Sequence, residues 1–156
     1  MMKPLGEPLL LLQKESSPGL NTVTAYGAGY VEINGMPYRH AVRFGPEGPV
    51  EQWPVEHAGQ LTIAALREVA GVTEAAADPL AFLDGQAAAP ASGAEVVLIG
   101  TGARQVMLDP SLTAPLLRLG IGVESMSTQA AARTCNILMS EGRRVVAALL
   151  PPQENE

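Results

Sequence analysis

The sequence predicts a single compact domain of the α/β class. Its 156 residues fit one domain of ordinary size, and 47% hydrophobic with 17% charged residues is a globular composition. The first half of the chain shows β-strand patterns separated by turn residues. The second half alternates strand-like and helix-like segments, an order that implies helices crossing over a sheet in the right-handed sense.

The first half predicts a β-hairpin followed by an edge strand. Thr22–Ile33 is rich in β-branched and aromatic residues, and Tyr38–Phe44 alternates between two faces. Asn34–Gly35 lies between them and tolerates the positive φ of a tight turn, although Met36–Pro37 lengthens the predicted loop. Val50–Val55 predicts a short edge strand that Pro54 interrupts.

The rest of the chain predicts a helix, a loop and then the strand–helix alternation. Leu61–Val69 has apolar residues at helical spacing, and Asp78–Ala94 reads as a loop. Further strands are predicted at Glu95–Ile99, Ile121–Glu124 and Val145–Leu150, and further helices at Thr113–Leu119 and Thr128–Glu141. Gly120 and Gly142 are expected to cap these two helices, and Pro115 is expected in a first turn. We expect one domain over residues 21–151, between an N-terminal segment, 1–20, and a tail, 152–156.

Charge and cysteine content narrow the function classes. The net charge of −6 and a pI near 4.9 argue against nucleic acid as a partner. Lys3 and Lys14 are the only lysines, so no polybasic segment can hold an anionic membrane. The apolar run Leu9–Leu12 is too short to cross a bilayer or act as a signal core. The lone cysteine suits a reducing compartment, and the expected location is the cytoplasm.

Gly100-Thr101-Gly102 follows a buried strand and is one candidate binding site. Glycines at such a position let backbone N–H groups approach an anion. The dinucleotide-binding pattern also needs a third glycine and an immediate helix, and Ala103–Met107 supplies neither. A tight structural turn is therefore the favoured interpretation, with an anion cradle as the alternative.

The predicted helix Thr128–Glu141 carries a second candidate site. Its polar face holds Arg133 and Asn136, together with Gln129 and Ser140. The helix follows a loop containing Met126, at the carboxyl end of a strand, where α/β sheets commonly bind ligands. Arg133 could clamp a carboxylate or another anion, with Thr128 nearby. A solvated polar stripe is the alternative.

No catalytic or metal-binding constellation is visible. Cys135 lies within the helix on a face of Ala, Thr and Leu, which predicts a buried, inert thiol. The two histidines, His40 and His57, offer no cluster of metal ligands with one cysteine. Ser127 is better suited to cap the helix than to attack a carbonyl. Trp53 is either a core anchor or an exposed interaction residue. We expect no metal and no cofactor.

Several segments resemble one known family. It contains mitochondrial complex I assembly factor three, the adipogenesis-associated Mth-like domain protein and bacterial members of unknown function. The resemblance covers Asn21 to Pro151, and its C-terminal block is the more specific part. The segments that carry it are Gly19–Gly35, Glu95–Gly102, Gly120–Thr128, Ala130–Ala131, Arg133–Thr134, Asn136–Leu138 and Glu141–Pro151.

The resemblance implies a three-layer α/β fold, the Mth-like fold, with a mixed central sheet and an additional β layer. It also implies a role in assembling a respiratory membrane complex, at least in the mitochondrial branch. The chain departs from the family pattern at Ala132, where members often carry Cys, and at Cys135, where they often carry Tyr. The first departure puts thiol chemistry in doubt for this chain.

Two functional hypotheses follow. The first is a non-catalytic assembly or interaction factor whose protein partners include respiratory-complex subunits or other assembly factors, with Trp53, Met126 and the Arg133 face as candidate contact residues. The second is a small-molecule or anion-binding domain, or a minor enzyme, built on Gly100–Gly102, Thr128, Arg133 and Asn136. The sequence leaves the oligomeric state open, a homo-oligomer included.

Overall fold

A computed structural model describes residues 19–72 and 93–153. It confirms the predicted α/β class, with two sheets and three α-helices in these ranges. Almost all of the predicted loop Asp78–Ala94 lies outside the described residues, as do nearly all of the N-terminal segment and most of the predicted tail. The order of elements after residue 95 is the predicted strand–helix–strand–helix–strand.

The N-terminal β layer is a three-stranded antiparallel sheet, in the order β1-β2-β3. Its strands are Val23–Gly27 (β1), Tyr30–Ile33 (β2) and Met36–Tyr38 (β3). The prediction of one strand over 22–33 was wrong, because the chain turns at Ala28–Gly29, where Gly29 has a φ of +79°. The Asn34–Gly35 turn is confirmed, with φ values of 56° and 82°, but Met36 and Pro37 belong to β3.

The central sheet has five strands in the order β5-β4-β8-β6-β7. They are Val42–Phe44 (β4), Glu51–Gln52 (β5), Val96–Gly100 (β6), Gly122–Met126 (β7) and Val145–Leu149 (β8). Strand β6 runs parallel to β7 and β8, whereas β4 is antiparallel to β5 and β8, so the sheet is mixed. The predicted single strand over 38–44 was wrong. Its start belongs to β3 and its end to β4, because the chain crosses between the two sheets at residues 39–41.

The helices are Ile63–Ala70 (α1), Pro110–Arg118 (α2) and Thr128–Ser140 (α3), and a 3₁₀ turn spans Ala58–Gln60. Side-chain caps at Thr62, Asp109 and Ser127 define the three starts. Within the described ranges, no helix combines the length and apolar character needed to cross a bilayer.

Helix α2 begins one turn earlier than the sequence predicted. Asp109 caps its first turn by accepting a hydrogen bond from the Ser111 N–H at 2.9 Å, which also lowers the pKa of Asp109 below its usual value. Pro115 therefore lies beyond the first turn, contrary to the prediction. The helix accommodates it because the carbonyl that loses its partner belongs to Ser111, an exposed residue. The predicted ends are confirmed, with Gly120 at φ +81° and Gly142 at φ +84°.

Two hydrophobic cores lie on opposite faces of the central sheet. Successive residues of β6 and β8 point to opposite faces, so both faces of these strands are buried. The first core joins the sheet to α1 and α2, and it contains Trp53, Leu61, Leu66, Val69, Val97, Ile99, Leu116, Ile121, Val146 and Ala148. The second joins the sheet to α3 and the three-stranded sheet, and it contains Val23, Val31, Ile33, Phe44, Leu98, Ala131, Cys135, Met139, Val145, Ala147 and Leu149. The result is three layers.

Gly100 closes the end of β6 where no larger residue fits. A Cβ built there would lie 2.9 Å from the Leu149 Cδ2 atom and 3.1 Å from the Thr128 Cα atom. The Thr128 Cα is a backbone atom, so it cannot move away as the end of a flexible side chain can. The small residue is thus required by packing between β6, β8 and α3.

We predict that Gly100→Ala lowers the free energy of unfolding by about 1–3 kcal/mol, because the added methyl group overpacks this junction. The matched control is Gly45→Ala, whose Cβ would meet nothing closer than the Glu47 carbonyl oxygen at 3.9 Å. Urea unfolding followed by circular dichroism measures both variants. Equal stability of the two variants would contradict the packing account.

Candidate functional site

Most of the predicted site residues meet at one edge of the central sheet. The parallel strands β6, β7 and β8 end side by side there, since Gly100 is in register with both Met126 and Leu149. Thr101 and Gly102 continue from β6, and Thr128 begins α3 just after β7. This is the carboxyl edge of the parallel strands, where the sequence placed its candidate site.

The hydroxyl group of Thr128 joins the ends of two strands to the start of α3. Thr128 is fully buried. Its Oγ1 donates a hydrogen bond to the Leu150 carbonyl at 2.5 Å and accepts one from the Gly102 N–H at 2.9 Å. Its own N–H donates to the Gly102 carbonyl at 2.8 Å. Every hydrogen-bonding group that Thr128 presents to this junction therefore has a protein partner.

Thr101 closes the loop that follows β6. Its hydroxyl accepts a hydrogen bond from the Val106 N–H at 3.0 Å and donates to the Arg104 carbonyl at 2.6 Å. Its N–H donates to the Met126 carbonyl at 2.9 Å. The N–H groups of Thr101 and Gly102, which an anion cradle would need, are thus both donated to protein acceptors. The turn interpretation describes this geometry, and a ligand role for Gly100–Gly102 stays a prediction.

Asn136 connects α3 to the N-terminal β layer. Its side-chain Oδ1 accepts a hydrogen bond from the Val23 N–H at 2.9 Å, and its Nδ2 donates to the Val23 carbonyl at 2.9 Å. The amide thus pairs with β1 as a neighbouring strand would. The observed outer face of the helix therefore differs from the predicted polar stripe. Asn136 faces β1 instead, and the side chain of Ile137, which is 57% exposed, lies on the outer face.

Arg133 lies on the outer face of α3, one helical turn from Ile137. It is exposed, and in the described part of the chain its guanidinium makes neither a hydrogen bond nor an ion pair. Neither Glu124, in the preceding strand, nor Glu141, just after the helix, forms an ion pair with it. We define the α3 outer face as Gln129, Arg133 and Ile137, which follow one another at helical spacing.

The thiol of Cys135 is buried in the second core. Its Sγ lies 3.9 Å from the Sδ of Met139, and burial raises the pKa of the thiol to about 12. A thiol in this state has almost no thiolate at neutral pH and is a poor nucleophile. Ala132, at the family's cysteine position, is also buried. No group of three or more potential metal ligands occurs in residues 19–72 and 93–153.

An asparagine pair that the sequence did not single out ties the N-terminal layer to the rest. Asn21 is buried, and its Nδ2 donates to the carbonyls of Gly45 and Gly48 at 2.9 and 3.1 Å. Its Oδ1 accepts from the Nδ2 of Asn34 at 2.8 Å. Asn34 was visible as a turn residue, but nothing local marks Asn21 as its partner.

Two cavities open at the carboxyl edge, on either side of the segment after β8. The smaller, about 290 Å³, is lined by Tyr26, Gly102, Ala103, Gln129 and Pro152. The larger, about 470 Å³, is lined by Arg39, His40, Gln52, Trp53, Glu56 and Gln60. Of the predicted site residues, Gly102 contributes to the smaller cavity, and Arg133 lines neither. Trp53, which the sequence left undecided, is 3% exposed and belongs to the first core.

Residues 23–150 match the sequence family described as "Protein of unknown function (DUF498/DUF598)". The chain belongs to this family. It is 34% identical over 133 residues to an uncharacterized protein of Rhodobacter capsulatus, covering 85% of this chain and 86% of that one. It is 55% identical to a Bordetella pertussis protein solved by NMR and described as a Mth938-like domain. That likeness covers 88% of this chain and 89% of that one, with a TM-score of 0.72.

The DUF498 chain also resembles a named assembly factor. It is 42% identical over 59 residues to NADH dehydrogenase [ubiquinone] 1 alpha subcomplex assembly factor 3 of Xenopus tropicalis, covering 38% of this chain and 32% of that protein. The match thus spans about a third of the assembly factor. The predicted family resemblance and the Mth-like fold are confirmed.

We predict that Thr128→Val lowers the stability of this DUF498 chain by about 2–4 kcal/mol. Valine keeps the shape but removes the hydroxyl, leaving the Leu150 carbonyl and the Gly102 N–H buried without partners. Thr128→Ser is the control, since it keeps the hydroxyl and loses only a methyl group, at a cost of about 1 kcal/mol. Urea unfolding compares the two, and a valine variant as stable as the serine variant would disprove the hydroxyl's role.

We predict that Asn136→Ala costs about 2 kcal/mol, because two hydrogen bonds to the β1 backbone are lost together. Hydrogen exchange at the Val23 amide should accelerate more than exchange in β6. Ser140→Ala on the same helix is the control, because its hydroxyl bonds only to the Ile137 carbonyl of its own helix at 2.8 Å. Unchanged protection at Val23 would show that Asn136 does not hold β1.

Proposed function

We propose that the protein is a non-catalytic assembly or interaction factor that binds a protein partner through the α3 outer face. The observation that carries the proposal is the pairing of Arg133 and Ile137 on that face. An arginine without an internal partner and an isoleucine that is 57% exposed lie one helical turn apart. A protein partner that covered both side chains would gain binding free energy from the apolar surface of Ile137 and from the charge of Arg133.

The surroundings of the α3 outer face support a binding role over a structural one. Three polar side chains of the helix and its cap have identified partners: Ser127 caps its start, Thr128 joins the strand ends, and Asn136 binds β1. Arginine is enriched at the centres of protein interfaces because its guanidinium combines planar contact area with several donors. A partner that offers a carboxylate beside an apolar side chain fits the face.

The relatives suggest the kind of partner. The likeness to NADH dehydrogenase [ubiquinone] 1 alpha subcomplex assembly factor 3 supports an assembly role, with respiratory-complex subunits or other assembly factors as partners. The shared part is about a third of that protein, so the partner identities belong to the proposal. The proposed compartment is the cytoplasm, which suits a lone buried thiol.

The described residues favour binding over catalysis. The thiol of Cys135 has a pKa raised to about 12, and the hydroxyls of Thr101 and Thr128 are engaged in buried hydrogen bonds. None of the three is placed as an activated nucleophile, which needs an adjacent base or a lowered pKa.

The alternative is a small-molecule or anion-binding domain at Gly100–Gly102 and Arg133. The cavity of about 290 Å³ beside Gly102 favours it. The engaged N–H groups of Thr101 and Gly102, and the position of Arg133 away from that cavity, favour the partner-binding proposal instead.

Affinity capture of the tagged protein from its native cells tests the proposal. We expect respiratory-complex subunits or assembly factors with the wild type, and at least a tenfold loss of them with Arg133→Ala, the size of a hot-spot residue. Arg118→Ala is the matched control, an exposed arginine in the last turn of α2 on the other side of the sheet. Partners retained equally by both variants, or no specific partner with the wild type, would reject the proposal.

A further inference from the structure

The cavity of about 470 Å³ at the carboxyl edge is lined by several polar side chains. Its walls come from the crossing between the two sheets, Arg39–Ala41, and from the segment after β5, Gln52–Glu56. Both segments reach the carboxyl edge, because Val42 is in register with Leu149 and with Gln52. We call it the Trp53 cavity. Its volume is that of a site for a small molecule.

The indole N–H of Trp53 lacks an acceptor in the wall of this cavity. Trp53 is 3% exposed, and its backbone N–H donates to the Ala41 carbonyl at 2.9 Å. Its side-chain N–H, in contrast, has no hydrogen-bond partner in the described part of the chain. Among the described residues the buried side-chain nitrogen without a partner is Arg43 Nε, so the indole nitrogen of Trp53 keeps access to solvent and can donate to a ligand.

Two other side chains that line the cavity, those of Arg39 and Gln60, supply donors as well. Arg39 stacks over the ring of Tyr30, with its guanidinium carbon 5.9 Å from the centroid, and has no carboxylate partner in residues 19–72 and 93–153. The Oε1 of Gln60 is occupied by the Glu56 N–H at 2.7 Å, which leaves its NH₂ group to donate. Donors of three kinds therefore line one cavity, and a carboxylate is the ligand group that accepts from all of them.

We propose that the Trp53 cavity binds a small organic acid through its carboxylate, with Arg39 as the charge partner and the indole N–H of Trp53 as a further donor. Glu56 also lines the cavity. Its negative charge disfavours a ligand with several anionic groups and favours one whose other end donates a hydrogen bond. The ligand class is therefore a small amino acid or hydroxy acid. The site is separate from the α3 outer face, so either proposal can fail alone.

The chain contains one tryptophan, so its indole N–H gives a single, unambiguous NMR signal. The experiment titrates the ¹⁵N-labelled full chain with the proteinogenic amino acids and with the monocarboxylic hydroxy acids glycolate, lactate and 2-hydroxybutyrate. We expect at least one of them to shift the Trp53 indole signal saturably, with a Kd below about 1 mM. The amide analogue of that ligand, which lacks the carboxylate charge, should bind at least tenfold more weakly.

Two variants decide whether the cavity is the binding site. Arg39→Gln should weaken binding at least tenfold, whereas Arg118→Gln, at an exposed arginine in the last turn of α2 that does not line the cavity, should leave it unchanged. The backbone spectrum of each variant checks that it is folded. No saturable shift with any member of the panel up to about 10 mM would overturn the proposal. So would an affinity that Arg39→Gln and the amide analogue leave unchanged.

Discussion

The hydroxyl group of Thr128 is the interaction on which the central sheet's carboxyl edge depends. One buried oxygen accepts from the Gly102 N–H and donates to the Leu150 carbonyl, so it fixes the residues after β6 and β8 against the start of α3. The junction leaves no space for a side chain at position 100, because a Cβ on Gly100 would approach Thr128 and Leu149 closely. In a low-dielectric interior, losing such a group leaves two polar atoms unpaired at once. Packing of the helix layer on the sheet therefore requires a residue without a side chain at position 100 and a hydrogen-bond partner for each polar group of the junction.

Much of the fold could be predicted from the sequence because its signals are local. Apolar strands followed by glycine, and helices ending at Gly120 and Gly142, mark the second half of the domain. The Asn34–Gly35 turn is equally local. Two errors had local signals that allow more than one interpretation: glycine at 27 and 29 suits a strand irregularity as well as the turn at Ala28–Gly29, and Asp109 is one of several polar residues before α2. The third error depends on tertiary packing, because the alternation of 38–44 continues across the point where the chain leaves one sheet for the other.

The candidate site was predicted less well than the fold, for a physical reason. Polar residue types at a sheet edge suit a ligand and an internal hydrogen bond equally well. Periodicity places Asn136 on a polar face, but its partner, Val23, lies 113 positions away, and no pattern in the helix shows this. Thr128 and Thr101 are similar cases, since their hydroxyls bond to backbone atoms of other segments. The sequence could identify where polar groups gather, and only the structure shows which have protein partners.

Hydrogen-bonding capacity that remains after folding is therefore the property by which both proposals distinguish binding groups from structural ones. At the carboxyl edge the backbone donors of Thr101 and Gly102 are already engaged, so an incoming anion would have to displace protein acceptors and lose their hydrogen bonds. The guanidiniums of Arg133 and Arg39 face no such competition in the described part of the chain. Arg39 lies over the Tyr30 ring, and Ile137 lies one helical turn from Arg133, so a ligand or partner that covers either arginine also covers an aromatic or apolar side chain. In both proposals the binding energy therefore comes from these two arginines rather than from the glycine turn.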